Sequence, residues 1–550
     1  MKNLLVRGVL TLTLGAALAG LSTSCTKDLD QTPKYELTPE NVYVDLASYK
    51  RVLGKLYGGF ALTSLGGASG ASDLTSIDGG TGDYLRQLWS AQELTTDEAV
   101  VAWTTDPGIQ DWHNMNWDAN NPLIRGIYNR CYYEISLCNE FIRESTDDKL
   151  SSRISGDEVT QGRLFRAEAR FLRAVAYYHV IDLFGNGPFV TDTDVVGVTA
   201  PPYYTRRQLY DFVESELLAL TTELAPARSN EYGRVDQAAA RGYLARLYLN
   251  AEVYTGTAQY EKAAEQAKSV IGAGYTLVNE TSSASSAYGR NFLADNNMGP
   301  ATTEIVWPVL FDVTRTQTFG GTTFLVNAST NGTNAAWQRY VGESTGWGGI
   351  RTTRALFDKF FLLGADTAQD RRGRFWTQGQ TLEINDITQF TQGLGLPKYR
   401  NVNSDGAAQG GTLNFSSVDF PMLRLPDMML IYAEAAVRGK ADRGTALGYV
   451  NQIRRRAFGL PIATASTAAD ITDAQMTTDF ILDERARELH WEGVRRTDLI
   501  RYKQFVENTY LWPWKGGVRN GRGVEAHRVL FPIPSSDITA NPNLKQNPGY

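Results

Sequence analysis

Cysteine and histidine are scarce in this chain: three Cys and four His in 550 residues. Cys131 and Cys138 lie seven apart on a helix-like stretch, which separates them by about 10 Å along one face. That is too far to bridge, so they read as core thiols. His113, His179, His490 and His527 are scattered without metal-ligand spacing, so no zinc motif exists. No cofactor motif is present either. The glycine-rich GWGGIRTT from Gly346 lacks the lysine of a P-loop and the spacing of a dinucleotide fingerprint, which argues against phosphate binding. Positive charge is also short: the formal net charge is −6, a balance that disfavours nucleic acid and anionic headgroups. Beyond the first residues no run is long and apolar enough to span a bilayer.

What is present is a globular composition, 42% hydrophobic and 21% charged, with a generous 11% of aromatics. The length suits two to four ordinary domains or one large repetitive one. At the N-terminus Lys2 and Arg7 precede an apolar run over 8–21, then Ser22, Thr23, Ser24 and Cys25. This reads as a secretory signal peptide over 1–24. The cysteine after small residues resembles the lipobox of bacterial lipoproteins, although Ser22 stands where that pattern prefers Leu. The acidic TKDLD that follows is similar to the surface-export signal of Bacteroidota lipoproteins. Cys25 is the expected lipidation site, followed by a tether to residue 38.

Helical periodicity recurs through much of the rest. One pattern covers 39–60, and another places Ile127, Cys131, Ile135, Cys138 and Ile142 on one stripe. Residues 161–184 continue it until Gly185, Gly187 and Pro188. Thr205 with Gln208 forms a capping box for the next helix. Residues 237–254 and 258–271 form a helical hairpin with Ala263, Ala264 and Ala267 where the arms cross; 427–458 form a second. Units of this size with small crossing residues are similar to tetratricopeptide repeats. The two hairpins are separated by an irregular insertion over 276–426. The tail over 510–550 is Pro-rich and should wrap the surface as an extended segment.

Two stretches stand out chemically. Residues 479–505 carry twelve charged side chains on a segment that reads as one helix, with Leu482, Ala486, Leu489, Gly493, Arg496 and Ile500 on its inward stripe. The expected ion pairs are Asp483 with Arg487 and Glu492 with Arg496. Arg496 itself should be held by a buried acid or a backbone carbonyl. Residues 93–122 interleave Trp103, Trp112 and Trp117 with Asn114, Asn116 and Asp118, and the insertion adds Trp337, Tyr340 and Trp347. Indoles often plug cores. Set among amides and carboxylates, they also make stacking platforms for sugars.

RAEARFLRAVAYYHVIDLFGNGPF from Arg166, LRLPDMMLIYAEAAVR from Leu423, DERARELHWEGVRRTDLIRYKQF from Asp483 and LFPIPSSDITANPNLKQNPGY from Leu530 together resemble the SusD and RagB family of Bacteroidota outer-membrane nutrient-binding lipoproteins. ELTTDEAVVAW from Glu93 and GWGGIRTT from Gly346 fit as well. The resemblance implies a mainly α fold, a tetratricopeptide-like helix-pair scaffold with irregular loop and short-strand insertions forming the ligand face. It places the whole of 39–550 in a single domain: scaffold at about 39–60, 123–273 and 427–505, ligand-face insertions at about 63–122 and 276–426, and the tail from 506. It implies no catalysis and no cofactor. Its members act as a lid over a SusC-like TonB-dependent transporter at the cell surface, capturing an oligosaccharide or, in RagB-like members, a peptide. The corresponding candidates here are Trp103, Trp112, Asn114, Trp117, Asp118, Trp337, Tyr340 and Trp347.

Two other classes fit parts of the pattern. An all-helical glycoside hydrolase would need two carboxyl groups about 5 to 9.5 Å apart. Asp97, Glu98, Asp106, Asp111 and Asp118 supply candidates, though solvated surface acids are the commoner outcome. A pure peptide-binding scaffold would not require the aromatic insertion.

Overall fold

The computed structural model describes residues 38–550 apart from 65, 67, 69–71, 75–77, 195, 196, 198, 361–368 and 410–414. The expected signal peptide, Cys25 and all but the last residue of the expected tether over 25–38 lie outside the described residues. The first pattern forms a single turn at Pro39–Val42 and then helix α1, Leu46–Gly58. Asp45 caps α1: its carboxylate accepts from the Ser48 N–H and Ser48 Oγ accepts from the Asp45 N–H, satisfying donors that a helix start leaves free. Next come α2 (Tyr84–Glu93) and a two-residue strand β1 (Val100–Val101). Two long helices, α3 (Pro122–Glu144) and α4 (Asp157–Leu183), pack on each other, with α1 against both and α2 against α3.

Helix α5 (Arg206–Glu223), begun by the expected Thr205 and Gln208 box, lies on α4. It is followed by α6 (Gln237–Leu249) and α7 (Tyr260–Ile271), which form the first hairpin. Ala263, Ala264 and Ala267 are buried in it, small enough for the two backbones to approach. The insertion contributes β2 (Ile305–Val309), α8 (Gly321–Ala328), β3 (Ile350–Arg351) and β4 (Phe420–Arg424). β2 and β4 pair antiparallel, Ile305 opposite Arg424 and Val309 opposite Phe420. This ties the insertion's two ends together and delivers the chain directly into α9 (Leu425–Val437). α9 packs both on its hairpin partner α10 (Arg443–Ala457) and on α7, so the hairpins that the insertion separates in sequence are neighbours in space. Trp307 of β2 locks this arrangement, its ring 5.7, 5.3 and 5.8 Å from Phe60, Phe171 and Tyr243.

The charged stretch departs from expectation. It is two helices, α11 (Thr478–Leu489) and α12 (Arg495–Arg501), broken where Trp491 and Gly493 take φ of 59° and 75°. The break is favourable because its freed N–H groups meet carboxylates: Trp491 N donates to Glu98 at 3.0 Å, Gly493 N and Val494 N to Glu93 at 2.7 and 3.2 Å. The Trp491 ring is wholly buried, 5.3 Å from Trp89. The two expected helix-surface pairs do not form. Asp483 pairs with Lys359, Arg487 with Glu484, and Glu492 with Arg424 and Lys398. Arg487 and Glu492 are buried, and a buried charge needs several partners: Glu492 takes its partners from neighbouring segments, whereas Arg487 combines Glu484 of its own helix with the Lys359 carbonyl, to which it donates at 2.9 Å. Arg496 does meet a backbone carbonyl, donating to Val529 O at 2.7 Å, with Asp182 3.9 Å away. The tail docks with Phe531 N donating to Leu183 O at 2.8 Å.

Candidate functional site

The site is assembled by β1 and β3, which bring the 93–122 stretch and the insertion together. Val100 lies opposite Arg351 and Val101 opposite Ile350, and Ala102 N prolongs the ladder by donating to Gly349 O at 2.8 Å. Trp103 therefore leaves the ladder beside Trp347, and its Nε1 donates to Trp347 O at 3.3 Å. The Trp347-Gly348-Gly349 backbone is fixed from behind. Its three N–H groups donate to Asn327, Thr330 and Ala328 carbonyls at 2.7, 3.0 and 2.8 Å, filling the acceptors that the end of α8 leaves free. Gly349 has to be glycine, since a Cβ there would collide with the Trp103 ring.

Phe319 completes the group, 6.2 Å from Trp347 in an edge-on arrangement and 5.6 Å from Phe415. Trp103, Trp347 and Phe319 are all half-buried, so each keeps part of its ring at the surface. Behind them sits Arg86, its guanidinium 4.3 Å from the Phe324 ring and 5.9 Å from Trp103. Arg86 Nη1 donates to Gly80 O at 2.6 Å and to Phe319 O at 3.4 Å. Burial pulls its pKa down to about 10, against the opposing pull of Asp83, Asp106 and Asp78, so it remains a cation at neutral pH. Thr104 and Thr105, exposed, and Asp106, half-buried, follow Trp103 in the chain, and Asp106 and exposed Asp78 are near enough to Arg86 to act on its charge. Ring surface for apolar CH faces beside polar groups for hydroxyls is the chemistry of a binding site. Among the described residues no group of His, Cys, Asp and Glu is placed to hold a metal ion.

Of the eight residues expected from sequence, Trp103 and Trp347 meet here. Three of the others are corrected by burial. Trp112 and Trp117 are 0% and 1% exposed and offer no face to a ligand. They pack 5.6 and 4.8 Å from Phe531, and Trp117 Nε1 donates to the Tyr550 hydroxyl at 2.7 Å, so both anchor the tail. Asn114 lies close to Gly517, and Asp118 turns back on the Asn120 N–H at 2.7 Å. Trp337 is wholly buried, stacked on Trp376. Tyr340, half-buried, belongs to that second group of rings. Sequence reasoning missed Arg86 and Phe319. Arg86 sits on a helix buried all round, where nothing in the spacing sets it apart.

Of the acids considered for hydrolysis, Asp97 and Glu98 are occupied by the scaffold. Asp97 is fully buried and grips Arg495 through two bonds of 2.7 Å; burial opposes its charge, but Arg495 and Lys359 hold its pKa well below the ordinary carboxylate range. Glu98 receives the Trp491 N–H, and burial pushes its pKa up to about 7.

Comparison with known proteins accounts for this architecture. Residues 364–550 match the model described as the SusD family, and 75–249 match one described as starch-binding associating with outer membrane. The starch-binding protein SusD of Bacteroides thetaiotaomicron is 31% identical, with 100% of each chain covered. SusD-like protein P2 of Formosa agariphila is 23% identical over 95% of this chain and 96% of its own. Among solved structures, a SusD homolog from Bacteroides thetaiotaomicron superposes with a TM-score of 0.69 at 20% identity, covering 93% of this chain and 98% of that one. Surface glycan-binding protein A from Bacteroides uniformis does so with a TM-score of 0.67 at 21% identity, over 91% and 99%. Two of these relatives, the starch-binding protein SusD and surface glycan-binding protein A, carry the names of binding proteins, and none of the four carries the name of an enzyme. Helix pairs, insertion and signature segments thus have one explanation: the chain belongs to the SusD family.

Proposed function

We propose that this chain captures an oligosaccharide at the outer-membrane surface through Trp103, Trp347 and Phe319, with Arg86 holding the rings from behind, and passes it as a lid to a SusC-like TonB-dependent transporter. Cys25 carries the lipid that anchors it. The observation that carries the reading is the joining of Trp103 to Trp347 across the β1–β3 ladder, two half-exposed indoles held at 3.3 Å by an indole-to-carbonyl bond. The names of the starch-binding and glycan-binding relatives support the ligand class.

Calorimetric titration with malto-oligosaccharides, other neutral glycans and peptides tests it. A neutral glycan should bind, and Trp103→Ala should weaken it at least about tenfold, roughly 1.4 kcal/mol, while the melting temperature holds. Tight binding of peptides alone, unchanged affinity in Trp103→Ala, or new reducing ends in the mixture would each overturn the reading. Cys25→Ser should release the protein from membranes, and the wild type should co-purify with a transporter barrel.

A further inference from the structure

A cleft of about 800 Å³ opens in the insertion between the serine-rich loop 281–286 and residues 370–376. Tyr340 and Trp376 line it, both half-buried, with ring centroids 5.8 Å apart and planes inclined by 43°. One face of Trp376 is covered by Trp337, stacked at 5.2 Å and 20°, so the opposite face is the one left to the cleft. Tyr340 is held in the same manner. The Arg400 guanidinium lies over its ring at 3.8 Å and donates to Tyr340 O at 2.8 Å and Ala284 O at 2.6 Å. Two rings in an open V, each backed by a fixed group, form a seat for a sugar ring.

The charge of the lining narrows the ligand further. Arg371 and Arg374 line the cleft and are exposed. Asp370, the one acid among the described lining residues, is 2% exposed, and both its oxygens are taken by Arg372 at 2.9 and 2.7 Å. The cleft is therefore cationic on a chain of net charge −6, and guanidinium groups match carboxylate and sulfate geometry. We propose that this cleft binds an anionic sugar unit of a glycan, its ring on Trp376 and Tyr340 and its carboxylate or sulfate on Arg371 and Arg374. The assignment stands on this cleft alone and does not depend on binding at Trp103.

The test is calorimetric titration of the intact protein with trigalacturonate, a sulfated galactan tetrasaccharide and maltotriose, at low and at physiological salt. At least one of the two anionic sugars should bind, which of them telling carboxylate from sulfate. Its affinity should fall at least tenfold in Trp376→Ala and in the double variant Arg371→Ser/Arg374→Ser, and should fall with salt. Maltotriose should not respond to the arginine changes, and Trp103→Ala should leave the anionic ligand unaffected. The two arginines are exposed, so the double variant keeps its melting temperature and remains informative if Trp376→Ala is unstable. The proposal is overturned if neither anionic sugar binds, if binding survives the double variant, if Trp103→Ala abolishes it, or if a triaspartate peptide binds as tightly.

Discussion

Arg424 shows what the charges of this chain are for. It is 1% exposed and reaches Glu304 at 2.9 Å, Glu488 at 2.7 Å and Glu492 at 2.6 Å, joining the ends of the insertion to α11 and to the break after it. Arg456 on α10 meets Glu304 and Glu488 as well, so no carboxylate in the group depends on a single cation. Taking two charges out of water is expensive, and the pairs do little more than offset that cost; removing one member leaves the others stranded. Arg424→Met should therefore destabilise by about 3–5 kcal/mol, seen as a lower urea midpoint with an unchanged slope. A loss below about 1 kcal/mol would mean that Arg456 and Lys398 alone neutralise the cluster.

The helices divide into those whose signals are local and those whose fate is settled far away in sequence. The hairpins were legible because small residues, caps and periodicity sit inside the segments that fold. The break between α11 and α12 was not: the groups that accept its N–H donors, Glu93 and Glu98, lie some four hundred residues upstream. Trp112 and Trp117 were misread for the same reason, since Phe531 and Tyr550, which cover them, belong to the tail. Trp103 and Trp347 lie in two of the family-like segments, ELTTDEAVVAW and GWGGIRTT, but nothing within either segment says that a strand ladder unites them. The tail's docking makes its own statement. Arg496 touches the rings of Phe505 and Phe531 at 5.4 and 4.6 Å besides the Val529 carbonyl. Arg496→Leu should cost about 1–3 kcal/mol, lowering the melting temperature while leaving glycan affinity per folded molecule unchanged. A selective loss of affinity would show that Arg496 serves the ligand site.

The molecule as a whole carries two opposed populations of buried acids, and together they set its response to pH. Burial pushes Glu98, Glu343 and Asp419 up to about 7 and Glu134 up to about 8. Between their ordinary values and these, the folded state binds protons that the unfolded chain has released, so stability falls as pH rises through that window. Glu434 behaves oppositely. Burial alone would raise it, but Arg501 and Arg438 bring it down to about 2, and Glu488 and Asp427 are likewise lowered by their arginines. Their contribution is complete above the ordinary carboxylate range and is lost as pH falls below it. Thermal stability should accordingly peak near about pH 5 and drop by about 5 °C or more by pH 8.5, measured by calorimetric melts across pH 3–9. Glu98→Gln should flatten part of the alkaline slope, because the amide oxygen still accepts the Trp491 N–H without a charge to bury. A melting temperature that climbs steadily to pH 8 would show that the raised acids are relieved in the folded state. The scaffold's ion pairs, being buried, should respond little to salt, whereas the exposed Arg371 and Arg374 should be screened, so one salt series separates framework from cleft.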